Sequence, residues 1–102
     1  WLAPVQAAVL PIADRHVDAG RAVLAKLHAA GLRAEIDDRS ESVGRKIREA
    51  ELRKVPFMLV VGDREAEEGT VSVRARHEGD QGTEPADDLV ARLAGRVTRR
   101  ER

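Results

Sequence analysis

The stretch VGRKIREAELRKVPFMLVVGD, Val43 to Asp63, contains two patterns that together decide the fold. Three apolar residues recur in its first half at the spacing of a helix face: Val43, Ile47 and Ala50. Pro56 then ends the helix, and the five apolar residues of Phe57–Val61 are typical of a strand covered on both faces. The stretch predicts a cation-rich helix that leads directly into the central strand of an α/β domain.

Segments on both sides extend this alternation of strands and helices. The residue patterns predict, in chain order, a strand at Val5–Ile12, a helix from an N-cap at Asp14 to a C′ residue at Gly31, a strand at Leu32–Asp37, a helix at Ser40–Lys54, strands at Phe57–Gly62 and Thr70–Arg76, and a helix from Pro85 or Ala86 to Arg99. This order indicates a three-layer α/β domain with a parallel sheet core and an antiparallel addition.

Length and charge limit the classes of function. The 102 residues predict one domain, 1–102, with a basic, partly frayed tail at about 93–102, and the start at Trp1 rather than Met predicts excision from a longer chain. No apolar run approaches the roughly 18 residues of a membrane span. The net charge is zero, but Arg39–Lys54 holds six cations and three anions. Such a local basic stripe on a neutral body indicates a partner that is met at one place.

Several chemistries are absent from the sequence. There is no Cys, no G-x-G-x-x-G loop and no Walker loop, and the Ser residues lack an elbow motif. The three His residues have no metal-ligand spacing and are interpreted as surface or helix residues: His16, His28 and His77. We therefore predict no catalytic, cofactor or metal site in this chain, which disfavours a small α/β enzyme.

A nucleic-acid partner would have to be read without stacking. The only aromatic residues are Trp1 and Phe57, whereas modules that read single strands use exposed rings as platforms. Base recognition would depend on hydrogen bonds, since Arg matches the O6 and N7 edge of guanine and a carboxylate accepts from ring N–H and amino groups.

An ordered series of motifs carries a resemblance to a known family. The sequence reads DDRSESVGRKIRE from Asp37 and then KVPFMLVVGD, similar to the signature D-x-R-x-x-x-x-G-x-K-[IL]-R-E, [VI]-P-[FY]-x-L-V and G-[DE]. It resembles the C-terminal anticodon-binding domain of class IIa aminoacyl-tRNA synthetases. WLAPVQ and VSVRARHEGDQGT are most similar to the threonyl-tRNA synthetases within that group. The resemblance implies a mixed, mostly parallel sheet of about five strands with three helices, the fifth strand near Gln81–Glu84.

The resemblance also implies a set of RNA contacts. Matching positions suggest anticodon contacts at Arg74, Glu65 and Ser40, where relatives have Asn at the Ser40 position, with a further contact from Arg64. Weaker phosphate contacts are predicted at Lys46, Arg48 and Arg76. Without the family, Arg74 and Arg76 read as a solvated strand face, Glu65 as part of a solvated acidic loop, and Lys46 and Arg48 as partners of nearby carboxylates. Gly44 is predicted to allow close packing at the helix start.

The implied function is recognition of the tRNA anticodon stem-loop for threonine attachment in the cytoplasm, with no DNA or membrane partner. The ligase chemistry, with ATP, Mg and a catalytic Zn, and the homodimer contact are expected elsewhere in the parent chain. A stand-alone interaction module that no longer reads an anticodon is the alternative.

Overall fold

The computed structural model describes the backbone of residues 5–100 and the side chains of residues 5–95. Its elements are β1 (Ala7–Pro11), a 3-10 turn (Asp14–His16), α1 (Val17–Ala29), β2 (Ala34–Ile36), α2 (Val43–Leu52), β3 (Phe57–Val61), α3 (Asp63–Glu68), β4 (Thr70–Ala75), β5 (Gly79–Pro85) and α4 (Ala86–Arg100). In this part of the chain, no helix has both the length and the apolarity to cross a bilayer.

The strands form one mixed sheet in the order β2-β1-β3-β4-β5. The pairs β1–β2 and β1–β3 are parallel, and the pairs β3–β4 and β4–β5 are antiparallel. The five-stranded α/β fold is confirmed. The fifth strand, Gly79–Pro85, was hard to recognise because it contains two Gly residues and is largely exposed.

The helices divide between the two faces of the sheet. One face carries α1 and α4, which pack Leu27 and Leu89 against Val9, Leu59 and Val73 of the strands. The other face, called the α2 face here, carries α2, which packs with Ala8 and Leu10 of β1 and with Met58 and Val60 of β3. Burial of both faces explains why β1 and β3 are nearly all apolar.

The α2 face is covered only in part. Its apolar core cluster contains no residue of β4 or β5, and α2 makes few contacts with either strand, so this part of the face is called the open part here. Cross-strand partners share a face, and Arg74 pairs with Met58 while Ser72 pairs with Val60. Arg74 and Ser72 therefore lie on the open part of the α2 face, while Val71, Val73 and Ala75 are buried below α1 and α4.

Two sequence predictions were wrong in detail. The predicted loop after β3 is helix α3, which has too few apolar residues to show helical periodicity. The last helix, predicted to run to Arg99, extends to Arg100, and its residue Leu93 is buried in the core. Residues 101–102 lie outside the described part. Asp14 does not cap α1, because it lies within the 3-10 turn that begins after Ala13.

Candidate nucleic-acid interface

Helix α2 holds one of its cations inside the protein. Its side chains Val43, Ile47 and Ala50 face the sheet as predicted, but Lys46 lies among them and is only 3% exposed. The Lys46 ammonium donates to the carbonyl oxygen of Pro11 at the end of β1, over 3.0 Å. The sequence left open a phosphate or a nearby carboxylate as its partner, and the structure gives it a backbone carbonyl instead, with the ammonium buried away from solvent.

On the side of α2 that faces β2, each cation is paired with a carboxylate. This side is called the paired flank here and consists of Arg45, Glu49 and the C-cap residue Arg53. Arg45 lies 3.2 Å from Glu49 and 3.6 Å from Glu41. Arg53 makes two hydrogen bonds to Glu35 of β2, one of them over 2.7 Å. These exposed pairs neutralise the local charge of the helix.

The opposite flank has no such pairing. At about 100° per residue, Gly44, Arg48 and Glu51 fall on the side of α2 away from the paired flank, toward β4. This set is called the free flank here. Arg48 is exposed and forms no hydrogen bond or ion pair with any residue that the structure describes. Contrary to the prediction, Gly44 is not required for close packing, because a Cβ at this position would meet no atom within 4 Å.

Arg74 lies beside the free flank on the open strand face. The residue is half-buried, and its Nε is shielded from solvent without a hydrogen-bond partner. Asp80, its cross-strand neighbour on β5, accepts instead from the backbone N–H of Gly82 over 2.8 Å. Arg74 thus presents a guanidinium that no described carboxylate neutralises.

Arg76 has a different environment two residues further along. Its Nε donates to the carbonyl oxygen of Glu51 in the last turn of α2 over 3.0 Å. Its backbone N–H donates to the carbonyl oxygen of Pro56 over 2.9 Å. Arg76 therefore ties the end of α2 to the end of β4, a contact that the alternation of the strand could not indicate.

The turn after β3 carries two further predicted contacts at the start of α3. Glu65 is half-buried, and its Oε1 accepts the backbone N–H of Gly62 over 2.8 Å, as an N-terminal helix residue does in a capping box. Its other oxygen, Oε2, has no partner among the described residues. Arg64 is exposed and unpaired within the same part of the chain.

His16 supports this turn from inside the protein; of the predicted surface or helix positions it takes the second, in the 3-10 turn Asp14–His16. The side chain is buried, its Nδ1 accepts the backbone N–H of Ala13 over 3.1 Å, and its Nε2 lies 2.6 Å from Asp63. Nε2 is then the protonated nitrogen that donates to Asp63. A hydrogen bond from Arg15, and a second and weaker influence from the hydrogen bond of His16, hold the pKa of the Asp63 carboxyl well below its ordinary value.

Ser40 is exposed in the loop between β2 and α2, at the same sheet edge as Glu65. Both residues follow the carboxyl end of a parallel strand, which brings their loops to one side of the molecule. Beside Ser40, the guanidinium of Arg39 hydrogen-bonds to Asp37 and thereby lowers the pKa of the Asp37 carboxyl. No three described His, Cys, Asp or Glu residues are arranged to hold a metal ion.

Five cationic side chains within residues 5–95 form no hydrogen bond or ion pair with a described residue: Arg33, Arg48, Lys54, Arg64 and Arg74. Three of them are predicted RNA contacts, and Arg74 alone among the five is half-buried. The other two, Arg33 and Lys54, lie before β2 and β3, at the amino ends of these strands.

Comparison with known proteins gives a consistent set of relatives. A family model described as "Anticodon binding domain" matches residues 6–96. The threonine–tRNA ligase of Chlorobaculum tepidum is 57% identical over 100 residues, which are 98% of this chain and 15% of the ligase. That of Halorhodospira halophila is 54% identical over 102 residues, 100% of this chain and 16% of the ligase. The chain thus spans only about 15% of the length of such relatives.

A solved structure with the same fold is the RNA binding domain of threonyl-tRNA synthetase from Cryptosporidium parvum. It superposes with a TM-score of 0.85 at 30% identity, and the match covers 93% of this chain and 24% of that one.

Proposed function

Because the chain belongs to the family of anticodon-binding domains, we propose that it is the part of a threonine–tRNA ligase that holds the anticodon stem-loop of threonine tRNA. The threonine specificity rests on relatives such as the ligase of Chlorobaculum tepidum, which is 57% identical. The activation of threonine and its transfer to tRNA, with their nucleotide and metal requirements, are proposed to lie in the remainder of the protein.

The proposal rests on Arg74, whose half-buried guanidinium has no partner among the described residues. A half-buried guanidinium without a carboxylate partner is unfavourable unless something else accepts its hydrogen bonds. The O6 and N7 atoms of guanine are a matching bidentate acceptor, and threonine anticodons share a central G and a final U. Arg74 on the open sheet face is therefore proposed to read a base.

The other groups divide into base contacts and phosphate contacts. The free oxygen of Glu65 can accept from a ring N–H or an amino group, and the Ser40 hydroxyl can add a third hydrogen bond. Arg48 and Arg64 are exposed and unpaired with described residues, so they are proposed to contact phosphates. Arg76 supports the strand that carries Arg74 through its bond to Glu51.

The net charge and the small number of free cations predict weak binding. We expect a dissociation constant on the order of micromolar or weaker, and a salt dependence equivalent to about two to four phosphates.

The test compares stem-loops that differ in one anticodon base. The chain should prefer a loop with a central G and a final U to versions with either base changed, by roughly 5-fold or more. A module that no longer reads an anticodon would bind all of these loops alike, and that result would overturn the proposal.

A further inference from the structure

Arg39 joins the loop that contains Ser40 to helix α2. Its Nε and Nη2 lie 2.8 Å from the two carboxylate oxygens of Asp37, which is a bidentate pair. The same Nη2 also hydrogen-bonds to Glu49 on the paired flank of α2. One guanidinium therefore bridges the start of the loop and the helix that follows it.

The other residues of the loop 37–42 are also held, with one exception. The N–H of Asp37 donates to Val9 O over 2.9 Å, and the N–H of Glu41 donates to Arg39 O over 2.9 Å. Asp38 accepts from the Arg21 guanidinium over 3.3 Å, and Ser42 Oγ accepts from the N–H of Arg45 over 3.2 Å. Ser40 forms no hydrogen bond within the described part of the chain, and it is exposed. Hydrogen bonds thus hold the loop 37–42 in place and leave only the Ser40 hydroxyl without a partner among the described residues.

We infer that Arg39 is a positioning residue, which holds the loop between Asp37 and Glu49 so that Ser40 is presented to the anticodon before RNA arrives. This inference rests on the proposed function. Its physical reason is preorganisation, because a loop that is already ordered loses less conformational freedom on binding. No role in binding was predicted for Arg39, since neither of its two carboxylate contacts can be deduced from spacing alone.

In a competing role, Arg39 would leave Asp37 and Glu49 and bind a phosphate itself. The two roles predict different effects of charge. Lys keeps the charge that a phosphate needs, but it cannot bridge Asp37 and Glu49 with a planar fork. Arg39→Lys should therefore preserve a phosphate contact and destroy a positioning role.

The experiment measures binding to the threonine-type stem-loop for the full chain and its Arg39→Ala and Arg39→Lys variants, each alone and combined with Ser40→Ala. Both Arg39 variants should weaken binding by about 3–10-fold in the parent chain and by less than about 2-fold when Ser40 is already Ala. The salt dependence should not change. Arg53→Ala is the matched control, because it removes one charge and a pair of bonds to Glu35 outside the loop. It should change affinity by less than about 2-fold.

The inference is overturned by equal losses with and without Ser40, by full affinity in Arg39→Lys, or by a salt slope that falls by about one in Arg39→Ala. It is also overturned if Ser40→Ala alone has no effect, and the proposed function survives that result if Arg74→Ala still reduces base preference. If the unmodified chain shows no preference among loops, the proposed function fails and the inference fails with it.

Discussion

The two flanks of α2 are built from similar residues but differ in what they can bind. On the paired flank, Arg45 and Arg53 are held by the carboxylates of Glu49 and Glu35. On the free flank, Arg48 has no partner among the described residues, and it lies beside the open strand face that carries Arg74. The cations available to a polyanion are therefore those that the fold leaves unpaired, whatever the net charge.

The largest expected effect concerns Arg74 on the open face. Arg74→Ala should reduce discrimination among anticodon loops by about 1–3 kcal/mol, because it removes the group proposed to read a base. Stem-loop titrations with a central G or a substituted base measure this effect. Arg53→Ala on the paired flank serves as the control and should keep the preference. Full preference in Arg74→Ala would show that this arginine does not read a base.

Arg76 can be compared with Arg74, because it lies two residues further along on the same face but is hydrogen-bonded to α2. Arg76→Ala should lower the free energy of unfolding by about 1 kcal/mol, since it removes the hydrogen bond to the carbonyl oxygen of Glu51. Urea denaturation measures this change. Arg74→Ala should have a smaller effect on stability, and the reverse order of the two variants would refute this assignment.

A substitution at Gly44 tests whether other residues pack against the free flank. Gly44→Ala should raise the free energy of unfolding by about 0.5–1 kcal/mol, because Ala favours the helix and its Cβ would meet no atom. The matched control is Gly20→Ala in α1, where a Cβ would lie 3.1 Å from Ile36 and Pro11 side chains and should give no such gain. A loss of stability in Gly44→Ala would mean that this flank is packed.

The bridge of Arg39 between Asp37 and Glu49 should respond to acid. Hydrogen bonds from Arg39, and from Arg45 in the case of Glu49, hold the pKa values of Asp37 and Glu49 below their ordinary values of 3.8 and 4.5. A carboxyl with a lowered folded-state pKa stabilises the fold above its ordinary value, and this stabilisation is lost as pH falls through the folded value. The melting temperature should therefore fall between about pH 5 and pH 2.

Two carboxyl variants test this acid response. Asp37→Asn and Glu49→Gln should each show a shallower fall of the melting temperature, because each lacks a group that must be protonated. Curves identical to that of the unmodified chain would contradict the stabilising role of the bridge that Arg39 makes between Asp37 and Glu49.

Periodicity in the sequence was enough to predict most of the fold. Phe57–Val61 and Thr70–Ala75 were identified because burial on two faces or on one face leaves a distinct apolar pattern. Helix α3 was missed because it is held by Glu65 at its start rather than by an apolar stripe. The resemblance to a family supplied the candidate contacts, but not their surroundings.

Whether a cation is paired or unpaired depends on residues that are distant in sequence. Lys46 binds the carbonyl oxygen of Pro11, and His16 binds Asp63, across separations that no local pattern encodes. The same holds for Arg53, whose partner Glu35 is on β2. Pairing, and therefore the separation of the two flanks, could only come from the three-dimensional structure.

The most direct test of the central claim is the salt dependence of stem-loop binding in Arg48→Ala and Arg53→Ala. Both variants remove one exposed positive charge from α2 or its C-cap, but only Arg48 has no partner among the described residues. Arg48→Ala should reduce the slope of log affinity against log salt by about one and weaken all loops equally, while Arg53→Ala should leave the slope unchanged. Equal slopes in the two variants would contradict the account.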